Sequence, residues 1–148
     1  MDEPISSLTA GHPVVVALPV LWGDQDAYQH VNNTVFFRWF ESSRIAYWAR
    51  LGLDESMRRD RVGPILASAA CDFRAQVTFP DTVHVAARIC RLGRTSLGLE
   101  HLVVSEAQGV VAAQGRSTMV LFDYRVNAPV ELSETLRARI REVEGRDL

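Results

Sequence analysis

The chain has 148 residues, of which 47% are hydrophobic and 23% charged, with a formal net charge of −2 at pH 7. That length suits one domain with a substantial core, the mixture excludes a disordered chain, and no apolar run approaches the roughly 18 residues that cross a bilayer. The near-neutral balance, with no basic block, argues against nucleic acid as the main partner.

Residues 1–12 read as a loose leader; Met1-Asp2-Glu3-Pro4 is acidic and lacks the basic-then-apolar order of a signal peptide, so a cytoplasmic protein is expected. Val14–Leu21 is a short strand rich in β-branched residues, and Pro19 within it points to an edge position or a bulge. A polar loop follows from Gly23 through Asn33. A long helix is predicted from Asn32 or Asn33, because asparagine caps a helix by accepting a free backbone N–H, to Gly52, which stops it. Phe36, Phe40, Tyr47 and Leu51 fall on one helical face, and Phe37 and Trp48 broaden it, as in a buried helix. Arg38, Glu41 and Arg44 lie three apart and are expected to pair along one seam.

Asp54–Arg61 is charged and can hold a helical turn. From Gly63 the period changes to two, and Cys71, Phe73, Ala75 and Val77 alternate with Asp72, Arg74 and Gln76 as in a half-buried strand. Pro80-Asp81 turns the chain. Val83–Ile89, Thr95–Val104 and Val110–Phe122 are the next strands, with a hairpin turn at Ser105–Gly109, and Ser133 opens a terminal helix. Cys71 and Cys90 sit in apolar strand-like runs and read as free core thiols, with no C-x-x-C metal pair. Consecutive strands joined by short turns imply one antiparallel sheet carrying one buried helix, an α+β domain over 1–148 with its core at about 14–125. Such a sheet keeps open edges, so a homodimer or larger homo-oligomer is expected, with the site near the subunit boundary.

The chemistry concentrates ahead of the long helix. A helix N-terminus offers free N–H groups and a partial positive charge. A carbonyl oxygen held over the Asn33 or Thr34 N–H would be polarised, and Asp26 opposite it could attack the carbon or take a proton from water, which is acyl-transfer hydrolysis. Asp24 reads as a loop residue making turn bonds. His30 is either a buried structural histidine or a catalytic or orienting one. Asp24, Asp26 and His30 lack further spaced ligands, so no metal is expected. Gly93-Arg94-Thr95-Ser96-Leu97-Gly98 misses G-x-S-x-G by one residue and does not sit at a strand-to-helix elbow, so Ser96 is not a hydrolase nucleophile.

The string Asp24-Gln25-Asp26-Ala27-Tyr28-Gln29-His30-Val31-Asn32-Asn33, followed by an aromatic helix with Glu41 and Arg44, resembles the signature of the hot-dog-fold thioesterases, and most closely the 4-hydroxybenzoyl-CoA thioesterase-like acyl-CoA thioesterases. The resemblance implies a five-stranded antiparallel sheet wrapped around one long helix, assembled as dimers or tetramers, and hydrolysis of an acyl-CoA with no cofactor beyond the CoA of the substrate. It places the family's catalytic carboxylate on Asp26, the carbonyl-polarising amide on Asn33 and an assisting histidine on His30, and it puts CoA contacts near Arg94 and Ser96. The branch that uses this histidine has asparagine where this chain has Tyr28. Many relatives carry an arginine where this chain has Leu21-Trp22. The alternatives are an acyl-carrier-protein thioesterase and a non-catalytic acyl-thioester binding protein of the same fold.

Overall fold

The computed structural model describes residues 4–148. Asn32 ends an extended segment (φ −64°, ψ 144°) and accepts the Thr34 N–H, while Gly52 closes the helix in the left-handed region at φ 75°. Between these caps runs α2, Asn33–Leu51, about 28 Å long at 1.5 Å per residue. Two short helices flank it, α1 (Ile5–Leu8) and α3 (Leu53–Asp60), and α4 (Glu134–Glu144) follows the strands.

The strands are β1 (Val14–Pro19), β2 (Val62–Phe73), β3 (Thr82–Leu92), β4 (Ser96–Ser105) and β5 (Val110–Asp123), with a two-residue β6 (Ala128–Pro129). They form one antiparallel sheet in the order β1-β3-β4-β5-β2, and β6 adds to β5. Pro19 stands where its sequence pattern put it, on edge strand β1. Among the described residues no helix is long and apolar enough to cross a membrane.

The core lies between α2 and the sheet, in two clusters. Toward the start of α2, Val35, Phe36, Trp39 and Phe40 pack on Val77, Val83, Val85, Val103, Ala112 and Ala113. Toward its end, Tyr47, Trp48 and Leu51 pack on Ile89, Leu97, Leu99 and Leu121, and α4 adds Leu136 and Ile140. Fully burying a valine, leucine, isoleucine or phenylalanine side chain in such a core stabilises by about 1.5–3 kcal/mol. Gly115 on β5 lets α2 come close: a Cβ there would lie 2.5 Å from Phe40 Cζ.

Phe40 also stacks on His101 of β4, a fully buried histidine. Ser43 Oγ donates to the Phe40 carbonyl at 2.8 Å and therefore accepts from His101 Nδ1 at 3.0 Å; His101 Nε2 then accepts from Ser117 Oγ at 2.8 Å. Burial lowers the imidazole pKa to about 3, with the Arg44 charge acting in the same direction, so His101 is neutral in the folded chain.

Three sequence expectations change. The strand read around Cys71–Val77 is the last part of β2, which begins at Val62 and stops at Phe73. The Arg74 and Ala75 N–H groups both donate to the Ala112 carbonyl, at 2.8 and 3.0 Å, and this sharing breaks the ladder although the alternating pattern continues. The leader, as far as it is described, contains the turn of helix α1 and buries Thr9; Met1, Asp2 and Glu3 lie outside the described residues. Arg38 does not pair with Glu41, because the Asp24 carboxylate takes its guanidinium at 2.6 Å. Among the described residues no ion pair within 4.0 Å joins Glu41 to Arg38 or Arg44.

Candidate active site

The loop before α2 is held by its own polar atoms. A 3-10 turn at Trp22–Asp24 buries Asp24, whose carboxylate accepts the Leu21 N–H at 2.9 Å as well as Arg38 of α2. Asp24 is thus the brace that ties the loop to the helix. The chain then folds back on itself: the Asp26 N–H donates to the His30 carbonyl at 3.1 Å, and Gln29, at φ 65°, donates its N–H to the Asp26 carbonyl at 2.9 Å. The Val31 N–H reaches the Val77 carbonyl at 2.7 Å and fixes the loop to the segment after β2.

This folding sets the Asp26 carboxylate on two donors. Oδ1 accepts the Tyr28 N–H at 2.9 Å, and Oδ2 accepts Asn32 Nδ2 at 3.2 Å. Asn32 therefore uses both ends of its amide: Oδ1 caps α2 through the Thr34 N–H at 2.9 Å, and Nδ2 orients Asp26. The sequence showed the cap and not the second contact; an amide six residues after the carboxylate it orients carries no local pattern for that contact. No cation lies within 4.0 Å of Asp26 among the described residues. The N–H of Asn33, the first residue of α2, has no acceptor among the described residues, as befits a helix's opening turn.

Asp26, His30 and Asn33 line one cavity of about 320 Å³, whose apolar wall includes Phe36, Phe73 and Val77 and whose polar rim includes Arg74. The His30 ring stacks on the exposed Tyr28. A second cavity, of about 470 Å³, meets the first at Asp26 and is lined by Trp22, Gln25, Gln29, Thr78 and Phe79, with Trp22 and Phe79 in edge-to-face contact. The carboxylate thus stands between two spaces, with a free N–H on one side of it. That arrangement can polarise a carbonyl and deliver either an oxygen nucleophile or a base to its carbon.

Arg94 and Ser96 are not brought to this cavity. The Val20 N–H bonds Asp81 beside the loop, whereas Arg94 follows the other end of β3, and ten steps along that strand at about 3.3 Å each separate the two by about 30 Å. Arg94 pairs there with Glu131 at 2.7 Å. The thiols stay out of the chemistry: burial pushes Cys71 up to about 11 and raises Cys90 too, so both remain protonated near neutrality. Among the described residues no three His, Cys, Asp or Glu side chains gather as a metal site.

A family model described as the thioesterase-like superfamily matches residues 20–140. The chain is similar to a thioesterase of Thermus thermophilus whose crystal structure holds coenzyme A and Zn, at 36% identity over 94% of this chain and 99% of that one, with a TM-score of 0.83. It is similar to the long-chain acyl-CoA thioesterase FadM of Escherichia coli, at 23% identity over 80% of this chain and 89% of that protein. A thioesterase-superfamily structure from a Jannaschia species shares the fold, with a TM-score of 0.82 over 99% of this chain and 95% of that one at 23% identity. With the matched span running from the Asp26 loop through the sheet and into α4, the chain belongs to the thioesterase-like superfamily and has its hot dog fold.

Proposed function

We propose that this chain hydrolyses the thioester of an acyl-CoA to a free acid and CoA. The observation that carries the reading is the shared cavity of Asp26 and the unoccupied Asn33 N–H. The thioester carbonyl oxygen rests on that N–H, and the carbon faces Asp26. Asp26 takes a proton from water as the water oxygen attacks, or attacks the carbon itself and expels the CoA thiolate to give an anhydride, which water then opens to the free acid and the Asp26 carboxylate while giving a proton to the thiolate. In the first route the tetrahedral oxyanion, held by the Asn33 amide, collapses and expels the CoA thiolate, which recovers the proton from Asp26. His30, on the same wall, orients the attacking water or assists the leaving sulfur. The chemistry calls for no metal and no redox group, because a carboxylate and a backbone donor supply the base and the charge stabilisation.

The similarity to FadM and to the CoA-bound Thermus enzyme supports CoA as the thiol half of the substrate. In this reading the protein works as a homo-oligomer, and Arg94 and Ser96 reach CoA phosphates from another copy of the chain, a role that suits a guanidinium. The test is a panel of short, long and aromatic acyl-CoA thioesters beside matched acyl-carrier-protein thioesters, followed by thiol release. Faster turnover of the CoA series is expected. Preference for the carrier-protein series would reassign the thiol half, and tight acyl-CoA binding without turnover would overturn the enzyme reading.

A further inference from the structure

A cavity larger than either space at Asp26 lies at the opposite end of α2. It measures about 520 Å³, inside the range of roughly 300–1,000 Å³ that small-molecule sites occupy. The length of α2, about 28 Å at 1.5 Å per residue, separates it from Asn33, and none of its lining residues lines the spaces at Asp26. Gly52 both ends α2 and opens α3, and the Val130 N–H bonds the Leu121 carbonyl at 2.8 Å, which lays the segment before α4 along β5. The cavity is the space these connections leave between α3 and α4.

Its floor is apolar: Leu51, Leu53, Leu121 and Leu136 are buried there, and Val62 and Val130 are partly buried against them. The charges on its rim pair unevenly. Glu55 accepts from Arg58 at 3.0 Å, Asp60 from Arg59 at 3.2 Å and Glu131 from Arg94 at 2.7 Å. Arg139, exposed on α4, has no carboxylate within 4.0 Å among the described residues; its Nη1 donates to the Leu51 carbonyl at 3.2 Å. Thr135 lies one turn earlier on the same face of α4, lines the same cavity and adds a hydroxyl donor. An apolar body thus adjoins one uncommitted positive charge, and a guanidinium suits a carboxylate.

We propose that this cavity binds an aliphatic monocarboxylate, with its carboxylate on Arg139 and Thr135 and its chain over Leu51, Leu53, Leu121 and Leu136. Charge decides the occupant. A cation would find every rim carboxylate already answered by an arginine, and a wholly apolar guest would leave Arg139 unpaired. A free acid of this kind is what thioester hydrolysis releases, but the site stands on the cavity alone and not on the chemistry at Asp26.

The test is calorimetric titration of the full chain with octanoate and, beside it, octanol, which has the same chain length and no charge. Octanoate should occupy one site per chain with a dissociation constant of about 1 mM or below. It should bind about fivefold more tightly than octanol, the upper range for an exposed ion pair. Arg139→Gln should erase that difference by weakening octanoate alone, whereas a merely structural loss would weaken both ligands. Ser56→Phe, which puts a ring into the cavity from α3, should abolish the binding of both. Thiol release from an acyl-CoA should be unchanged in both variants, so failure of the hydrolase reading would show there and leave the titrations standing. Octanoate that gives no saturable binding, or that binds equally well with both substitutions in place, overturns the proposal. Free CoA losing affinity in Arg139→Gln while octanoate does not also overturns it, and gives the cavity to the thiol half of a substrate.

Discussion

Asn33→Pro isolates the backbone donor that the proposed hydrolysis depends on. Asn33 is the first residue of α2, the one helical position where proline fits, because its N–H has no intrahelical acceptor and its φ is already near proline's. The preceding residue, Asn32, is at φ −64° and ψ 144°, the extended conformation that proline requires before it. The substitution therefore removes one N–H from the cavity and leaves the cap intact. Losing one preorganised donor to an oxyanion raises the barrier by about 2.7–4 kcal/mol, so kcat should fall by about 100- to 1000-fold. Asn33→Ala keeps the N–H and should retain a rate close to that of the unaltered chain. The assay is thiol release from an acyl-CoA, beside urea unfolding to show that both variants keep their stability. If Asn33→Pro folds and hydrolyses as fast as Asn33→Ala, the amide does not hold the oxyanion and the proposed site geometry is wrong.

Asn32→Ser should separate capping from orientation: serine caps as well as asparagine, so stability should change by about 0.5 kcal/mol or less, while kcat drops because Asp26 loses the Asn32 Nδ2 contact. Gly115→Ala should cost about 1–3 kcal/mol in urea unfolding, since its Cβ would fall 2.5 Å from a ring atom of the buried Phe40. The neutral His101 makes stability depend on pH: its folded pKa of about 3 lies below the unfolded value of 6.5, so the unfolded chain binds the proton first, and the contribution present above about pH 6.5 erodes toward pH 3. At about 1.4 kcal/mol per pH unit, lowering the pH from 7 to 5 should remove about 2 kcal/mol of unfolding free energy, and His101→Gln should lack this portion of the slope.

What could be read from the chain was what local chemistry decides. The ends of α2 follow from Asn32 and Gly52, because capping is settled within a few residues. The Asp26 loop was visible because its carboxylate, histidine and asparagines sit together in one short string. What could not be read depends on contacts far along the chain. Arg38 had Glu41 as a plausible helical neighbour, and only folding brought Asp24 closer. The end of β2 is set by two N–H groups converging on Ala112, almost forty residues later, while the alternating pattern runs on past it. His101 occupies an ordinary inward position of a strand, and the Ser43 and Ser117 hydroxyls that make its burial tolerable come from α2 and β5.

The central claim is that the Asp26 carboxylate acts on a thioester carbonyl held at the start of α2. Its most direct measurement is kcat for an acyl-CoA with Asp26→Asn, which keeps the side chain's size and removes its charge, alongside the affinity for free CoA. A loss of at least about 100-fold in kcat is expected, the lower range for deleting a positioned acid–base group, with CoA affinity unchanged. An Asp26→Asn chain that turns over at the original rate would contradict it.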